Sequence, residues 1–372
     1  MISWLRRRRS GVTFDVGAAG IRACQLRQRG GELRLCDVLQ LDLMPSAETG
    51  EPAPPTVDPA LLSRLIGQGR FVGRDVVLVL SPPEVQFYPL HLPDQAMAQP
   101  PQRIEQALKW EVAQESRSAA EDLEVRFWKL PRGRGQQANV MAVVMPAKTA
   151  LQWCELLQRQ HLTIRRIDVS PCALVRLARR MWTPADNDLW GVLDLGLRHS
   201  TLTVVVGEVP TYIRSISASA HQWTRQLAAA FEVGYPVAEQ IKRAHTLQPT
   251  ERGLRTAGSG RNLQQASDMS SAFSSVLREP LHALAQDVGR CFSYVMQSYP
   301  DHSAKRLLLA GGGADLGGLP ALLEAELGLA VTPLANGGGD NAPPWEHILR
   351  DVRLGPRAAA AFGSAILDME AA

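Results

Sequence analysis

Short apolar runs alternate with amphipathic stretches along most of the chain, a pattern typical of an α/β protein. The first run, at 12–17, reads V-T-F-D-V-G and predicts a buried strand that ends on Asp-x-Gly. Strand-like alternation follows at 21–26 and 32–43, so these runs predict a three-strand meander. The next predicted elements are a proline-rich loop at 44–59, a helix at 60–67 and an interior strand at 76–80.

Residues 84–167 have an order of their own, β-α-β-β-α-β, which is typical of a ferredoxin-like unit. We therefore expect a small inserted subdomain inside a first domain that comprises residues 1–83 and 168–184. The elements predicted here are strands at 85–92, 124–130, 139–145 and 162–169, helices at 101–114 and 147–159, and a following helix at 170–182.

A second meander begins after the linker at 184–188 and repeats the first one. Residues 190–196 read W-G-V-L-D-L-G, again a strand that closes on Asp-x-Gly, and strands at 201–206 and 211–216 follow it. This weak duplication predicts a second, related domain over 185–372. Its other predicted elements are helices at 220–231, 237–244, 272–297, 320–327 and 357–369, a strand at 306–309, and loops at 248–267 and 336–344.

Composition and charge limit the kinds of protein this chain can be. With 45% hydrophobic and 21% charged residues, it is expected to fold. Forty basic and 37 acidic residues leave a net charge of +3, which argues against a nucleic-acid partner. The five cysteines form no C-x-x-C pair and no apolar run approaches the ~18 residues of a membrane span, so we expect a protein of the reducing cytoplasm. The arginines at 6–9 predict a solvated tail, with weak contact to an anionic membrane as the alternative.

Two features of the sequence carry candidate chemistry. Gly311, Gly312 and Gly313 follow an apolar strand, and the lack of a Cβ there lets the backbone approach a ligand. Asp15 and Asp194 end the two duplicated strands, where they can face Mg²⁺ through water while hairpin amides bind phosphates. A tight turn or a turn-capping carboxylate explains either feature alone, but the duplication favours a ligand site. The chain has neither a P-loop nor a Rossmann motif.

Five segments, in this order, carry a resemblance that runs almost end to end. They are G-V-T-F-D-V-G-A-A-G-I-R at 11–22, Q-A-L-K-W-E-V-A-Q-E at 106–115, R-I-D-V-S-P-C-A-L-V-R at 166–176, A-E-Q-I-K at 238–242 and L-L-L-A-G-G-G-A-D-L at 307–316. Together they resemble the actin, Hsp70 and sugar-kinase superfamily. Within it, the chain is similar to the PilM family, the actin-like, FtsA-related cytoplasmic proteins of type IV pilus assembly. The resemblance implies a two-lobed actin-like fold with a ferredoxin-like insertion in the first lobe, and a last helix that packs back on that lobe.

The resemblance also implies where ATP or ADP with Mg²⁺ would bind. The phosphates would lie between the two hairpins, the adenosine against the glycine triplet, and the metal would be held through water by Asp15 and Asp194. The residues implied to bind nucleotide are Asp15, Gly17, Arg22, Asp194, Gly196, Ser200, Thr201, Glu239, Lys242, Gly311, Gly312 and Gly313.

Both hairpins depart from the superfamily pattern. Ala18 and Ala19 stand where serines are usual, and the residues at 197–199 replace small or polar ones. These changes remove hydroxyl donors that would bind phosphate or a magnesium-bound water. The sequence therefore predicts no catalytic residue and negligible ATP hydrolysis.

The function implied by the resemblance is a non-catalytic scaffold of the pilus inner-membrane platform. Such a scaffold would bind the N-terminal cytoplasmic tail of a PilN-like membrane protein and link it to the pilus assembly motor components. It would lie in the cytoplasm, peripheral at the inner membrane through this partner, and homo-oligomerisation stays open. The alternatives are a phosphotransferase of the sugar-kinase type, which the altered hairpins disfavour, and a GspL-like cytoplasmic component of a type II secretion platform. We expect the tail to dock in a groove between the first lobe and the insertion, by strand addition and a few apolar anchors.

Overall fold

A mixed five-stranded sheet forms the first lobe. The structure is a computed structural model, which describes residues 9–29, 32–43, 59–135, 138–248, 261–334 and 355–370. The sheet consists of β1 (Val12–Gly17), β2 (Gly20–Arg29), β3 (Glu32–Asp42), β4 (Asp75–Leu80) and β8 (Thr163–Val169), in the order β3-β2-β1-β4-β8. Its flanking helices are α1 (Pro59–Gln68) and α5 (Ser170–Met181). Outside the described residues lie 44–58 of the loop predicted at 44–59, 249–260 of the loop predicted at 248–267, the whole loop predicted at 336–344, and the arginines at 6–8.

A second sheet of the same topology forms the second lobe. Its strands are β9 (Asp188–Leu195), β10 (Ser200–Val206), β11 (Val209–Ile216), β12 (Ser303–Ala310) and β13 (Ala330–Pro333), in the order β11-β10-β9-β12-β13. In both lobes an antiparallel meander is extended by two parallel strands, so the duplication seen in the sequence is present in the fold. The helices are α6 (Ala220–Ala230), α7 (Tyr235–Ala244), α8 (Arg261–Ser298) and α9 (Leu319–Leu327).

Helix α8 begins at Arg261, so the loop predicted over 248–267 is wrong for residues 261–267. The polar character of that stretch favours a loop, but glutamine, arginine and alanine are good helix formers. The helix is anchored further along by Phe273, Leu277 and Leu281, which are fully buried in the core of the second lobe. Packing of that apolar face supports extension of the helix into polar sequence.

The insertion has the predicted element order but a smaller sheet. Its strands β5 (Gln86–Leu90), β6 (Leu123–Lys129) and β7 (Val140–Pro146) pair antiparallel in the order β5-β7-β6. Its helices are α2 (Asp94–Met97), α3 (Pro101–Ser116) and α4 (Ala147–Gln158).

The last strand of the expected ferredoxin-like unit belongs instead to the lobe. Strand β8 pairs in parallel with β4, where Val79 faces Asp168. Ile164 of β8, and Trp153 and Leu157 of α4, pack in the core of the first lobe. The hydrophobic pattern fixes where a strand lies in the sequence, not which of two open sheet edges it joins. The insertion's own sheet is therefore confined to 86–146, inside the expected 84–167.

The last helix, α10 (Ala359–Glu370), packs on the first lobe against α5 and β2. Gly363 permits close contact, because a Cβ there would lie 1.9 Å from the Ala173 carbonyl oxygen. Asp368 is buried and its Oδ2 accepts a 2.7 Å hydrogen bond from the Gly11 amide, so the two ends of the described chain are joined. No helix in the described part of the chain is both long and apolar enough to cross a membrane.

Candidate functional site

A cavity of about 490 Å³ lies between the lobes, where the two strand-Asp-x-Gly hairpins face each other. Each hairpin follows the first strand of its lobe. Because the two sheets have the same strand order, both hairpins lie at the cavity between the lobes. Among the residues that the sequence predicts for the site, all but Ser200 line this cavity. They are Asp15, Gly17, Arg22, Asp194, Gly196, Thr201, Glu239, Lys242, Gly311, Gly312 and Gly313.

Two carboxylates and one guanidinium form the centre of the cavity: Asp15 and Arg22 are buried, and Asp194 is half-buried. Arg22 lies opposite Asp15 in the β1–β2 register, with 4.0 Å between its Nη1 and Asp15 Oδ2. Burial raises the pKa of Asp15, and the charge of Arg22 offsets part of that rise. Burial, together with the charge of Asp15, raises the pKa of Asp194 to about 7, against the opposing effect of Arg22. The two carboxylates therefore repel each other, and a bound cation would relieve the repulsion.

This pair suits a magnesium ion that keeps most of its water, because Mg²⁺ is usually held by one or two carboxylates plus phosphate oxygens. No group of three or more His, Cys, Asp or Glu side chains suited to a metal occurs among the described residues. The donor set therefore fits a hydrated ion brought in with a phosphate ligand better than a metal held by protein ligands alone.

The glycines divide into those that the protein's own backbone requires and one that faces open space. A Cβ on Gly196 would lie 2.3 Å from the His199 carbonyl oxygen. Gly311 has a φ of +79°, and a Cβ there would lie 2.4 Å from Asp194 Oδ1. A Cβ on Gly313 would lie 2.8 Å from that of Leu195. At Gly312, however, the nearest atom to a Cβ would be Arg357 Nε at 3.9 Å, so space remains for a ligand.

Lys242 lines the cavity, but its ammonium group is already bound by protein. Nζ lies 2.6 Å from Glu239 Oε2, 2.7 Å from Thr224 Oγ1 and 3.2 Å from the Ala220 carbonyl oxygen. Burial lowers the pKa of Lys242, and the charge of Glu239 opposes this. Burial would raise the pKa of Glu239, but Lys242 and hydrogen bonds from Thr224 and Arg243 lower it overall. Lys242 thus joins α7 to α6 and positions Glu239 at the cavity wall.

Ser200 is fully buried and lies away from the cavity, and its Oγ has no hydrogen-bond partner. The reason is strand alternation: Thr201 faces Asp194 in the register and reaches the cavity, so its neighbour points to the other side of the sheet. The first hairpin lines the cavity with Ala18 and Ala19, which offer amides but no hydroxyl groups.

Charged residues that were not predicted also line the cavity, among them Glu84 and Arg357. Glu84 follows β4, and burial raises the pKa of its carboxyl group, opposed by a hydrogen bond from Trp153 Nε1 at 3.4 Å. Arg357 comes from the turn before α10 and pairs with Asp315 at 2.5 Å. Each reaches the site through tertiary packing, so no local motif marks it.

No protein-family model and no curated protein matches this chain. Solved structures do match it. The chain is similar to one from a PilM–PilN type IV pilus biogenesis complex, with 22% identity, a TM-score of 0.71, and 97% of this chain and 98% of that chain covered. It is also similar to the ethanolamine utilization protein EutJ from Carboxydothermus hydrogenoformans, with 13% identity, a TM-score of 0.51, and coverage of 98% and 92%. At these identities the likeness shows the fold, and it confirms the predicted class: this chain has a two-lobed, actin-like α/β fold.

Proposed function

We propose that this chain is a PilM-like cytoplasmic scaffold of type IV pilus assembly. The observation that carries the proposal is the likeness to a chain of the PilM–PilN complex over 97% of this chain and 98% of that one. Coverage at this level includes both lobes and the insertion. An insertion of this kind is what the sequence resemblance implied for the PilM family, and the sugar-kinase alternative gives no reason for it.

The partner is the N-terminal cytoplasmic tail of a PilN-like inner-membrane protein. The insertion offers large apolar side chains that a tail can cover: Trp110 on α3 is 59% exposed and Leu151 on α4 is 62% exposed. Exposed tryptophans of this type often dominate the affinity of small interfaces. Binding of the tail would hold the chain at the inner membrane and link it to the assembly motor components, with or without homo-oligomers.

The cavity between the lobes binds an adenine nucleotide with Mg²⁺. Its volume of about 490 Å³ lies within the usual range for ligand pockets, roughly 300–1,000 Å³. Arg22 and the hairpin amides would hold the phosphates, Asp15 and Asp194 the hydrated metal, and the space beside Gly312 the adenosine. The metal would neutralise charge between the two carboxylates and the phosphates.

The chain binds nucleotide without efficient turnover. Phosphoryl transfer needs a positioned nucleophile and several donors around the transferred group. Ala18 and Ala19 supply no hydroxyl, and Glu84, a further carboxylate of the cavity, accepts a hydrogen bond from Trp153. Bound nucleotide would therefore influence how the two lobes are arranged, without being hydrolysed efficiently.

Calorimetry with Mg·ATP tests the nucleotide site, using Gly312→Asp against wild type. The new side chain would enter open space and place a negative charge near the ligand, so binding should be lost while the fold is kept. Gly67→Asp is the matched control, because Gly67 also has open space around it but lies in α1. Equal affinity in Gly312→Asp and wild type would contradict the placement.

Co-purification of the full chain with a PilN-like membrane protein of the same organism tests the scaffold role. Retention of the membrane protein is the expected result. Failure to retain it, with the chain folded, would contradict the scaffold proposal and leave the nucleotide test unaffected.

A further inference from the structure

Arginines are concentrated at the end of the first lobe that is opposite the cleft. Strand β1 runs from this end towards the cleft, where it finishes at Gly17. At its start Arg9 forms a bridge with Arg27 of β2, and Arg27 in turn lies directly opposite Arg34 of β3. Three arginines therefore lie side by side across neighbouring strands.

The positive charges of these neighbouring arginines repel each other, and a bound anion would reduce that repulsion. Like charges directly opposite each other on adjacent strands destabilise a sheet. Arg27 is half-buried, and its Nε has no hydrogen-bond partner in the described structure. Arg9 and Arg27 also lie close enough to the Cys36 thiol to oppose the rise that burial causes in its pKa. An anionic group placed over Arg9 and Arg27 would reduce the repulsion between them.

The loop before β4 adds two arginines to the same end. Gln25 fixes this loop beside the start of β1, because its Nε2 donates to the Ser10 and Val72 carbonyl oxygens at 2.9 and 2.8 Å and its Oε1 accepts from the Val72 amide at 2.9 Å. The side chain of Arg70 is 85% exposed, and Arg74 is exposed as well. We call Arg9, Arg27, Arg34, Arg70 and Arg74 the arginine face.

Val72 projects from the middle of this loop and is 51% exposed. Three carboxylates of the described residues lie in the same region. Asp37 Oδ2 lies 3.8 Å from Arg70 Nε and accepts a 2.6 Å hydrogen bond from the Arg70 amide, and Asp75 is exposed. Asp368 is buried at the start of β1 and is paired with Arg165 at 3.3 Å. The five arginines outnumber them. Basic side chains around an exposed apolar residue match a surface of acidic headgroups above hydrocarbon.

From this geometry we propose that the arginine face binds the anionic surface of a lipid bilayer directly. Juxtamembrane basic residues attract anionic lipid, and each contributes a several-fold gain in binding. A nucleic acid is less well matched, because single strands need exposed aromatic side chains for stacking, and Val72 offers none. The face lies away from the cleft, so nucleotide and membrane can bind together. The proposal does not depend on the pilus function.

Sedimentation of the full chain with vesicles tests this proposal. Binding to vesicles rich in phosphatidylglycerol, and none to phosphatidylcholine vesicles, is expected. The double variant Arg34→Gln/Arg74→Gln should bind roughly 25-fold more weakly, at about fivefold per arginine. Arg103→Gln/Arg290→Gln, on the exposed sides of α3 and α8, is the matched control and should bind like wild type.

Three results would overturn the proposal. One is equal vesicle binding by Arg34→Gln/Arg74→Gln and wild type. Another is loss of binding on deletion of residues 2–8 while that double variant still binds, which would assign the contact to the tail alone. The third is salt-sensitive binding to RNA with no binding to anionic vesicles. Circular dichroism on each variant separates these results from misfolding.

Discussion

The carboxylate of Asp194 should make the free protein less stable as the pH rises, and removing its charge should stabilise the protein. The pKa of Asp194 in the folded chain is about 7, against 3.8 for an unperturbed aspartate. Between these values the unfolded chain is ionised while the folded chain keeps its proton, so stability falls with pH. At 1.36 kcal/mol per pKa unit, the loss is about 4 kcal/mol by pH 8.

Asp194→Asn keeps the shape of the side chain and cannot ionise. Below about pH 4 the two proteins should have similar stability. At pH 8 the variant should be the more stable one, by up to about 4 kcal/mol. Urea unfolding of both proteins at a series of pH values measures the difference, and Asp186→Asn, at an exposed position, is the control. An Asp194→Asn variant that is less stable than wild type at pH 8, or that loses stability with pH as steeply, would refute the reasoning.

Two further predictions concern turnover and packing. Phosphate release from Mg·ATP by the pure chain should be far below the enzyme median of about 10 per second, and a rate near that value would show that the hairpins are catalytically complete. Gly363→Ala should cost several kcal/mol in thermal unfolding, because its Cβ would lie 1.9 Å from the Ala173 carbonyl oxygen and force α10 away from α5. Gly289→Ala in α8, where the nearest atom lies at 3.6 Å, is the matched control and should be neutral or slightly stabilising. A tolerated Gly363→Ala would mean that α10 does not pack as described.

The sequence predicted what depends on local pattern and missed what depends on pairing between distant segments. The strand at Val12–Gly17 was predicted to the residue, because alternation and the closing Asp-x-Gly are local signals. The partner of β8 was not, since its apolar face suits either the insertion or the free edge of β4. The start of α8 was missed because polar sequence is helical there only as the extension of a buried helix.

The candidate site divides along the same line. Duplication of the hairpins brought Asp15 and Asp194 together as expected, since the equivalent strands of the two lobes end at one cavity. Ser200 and Thr201 were indistinguishable as motif residues, yet strand alternation allows only Thr201 to reach the cavity. Arg357 could not be predicted as a site residue, because it comes to the cavity only through the docking of α10 on the first lobe.

The pairing of the insertion strands shows where the insertion can be removed from the chain to test whether it binds the PilN-like tail. Gln86 of β5 lies directly opposite Val144 of β7, so the chain ends left by removing 86–144 are neighbours that a short linker can join. This excision removes α3 and the insertion's sheet. It keeps helix α4 of the insertion, which packs in the core of the first lobe, and β8, which pairs with β4.

The affinity of the chain for a synthetic N-terminal tail of the PilN-like membrane protein is the most direct test of the scaffold function. Calorimetry would compare the full chain with the excised chain, each shown to be folded by circular dichroism. The predicted result is saturable one-to-one binding to the full chain and none to the excised chain. Absence of binding to the full chain, or equal affinity of the excised chain, would contradict the account.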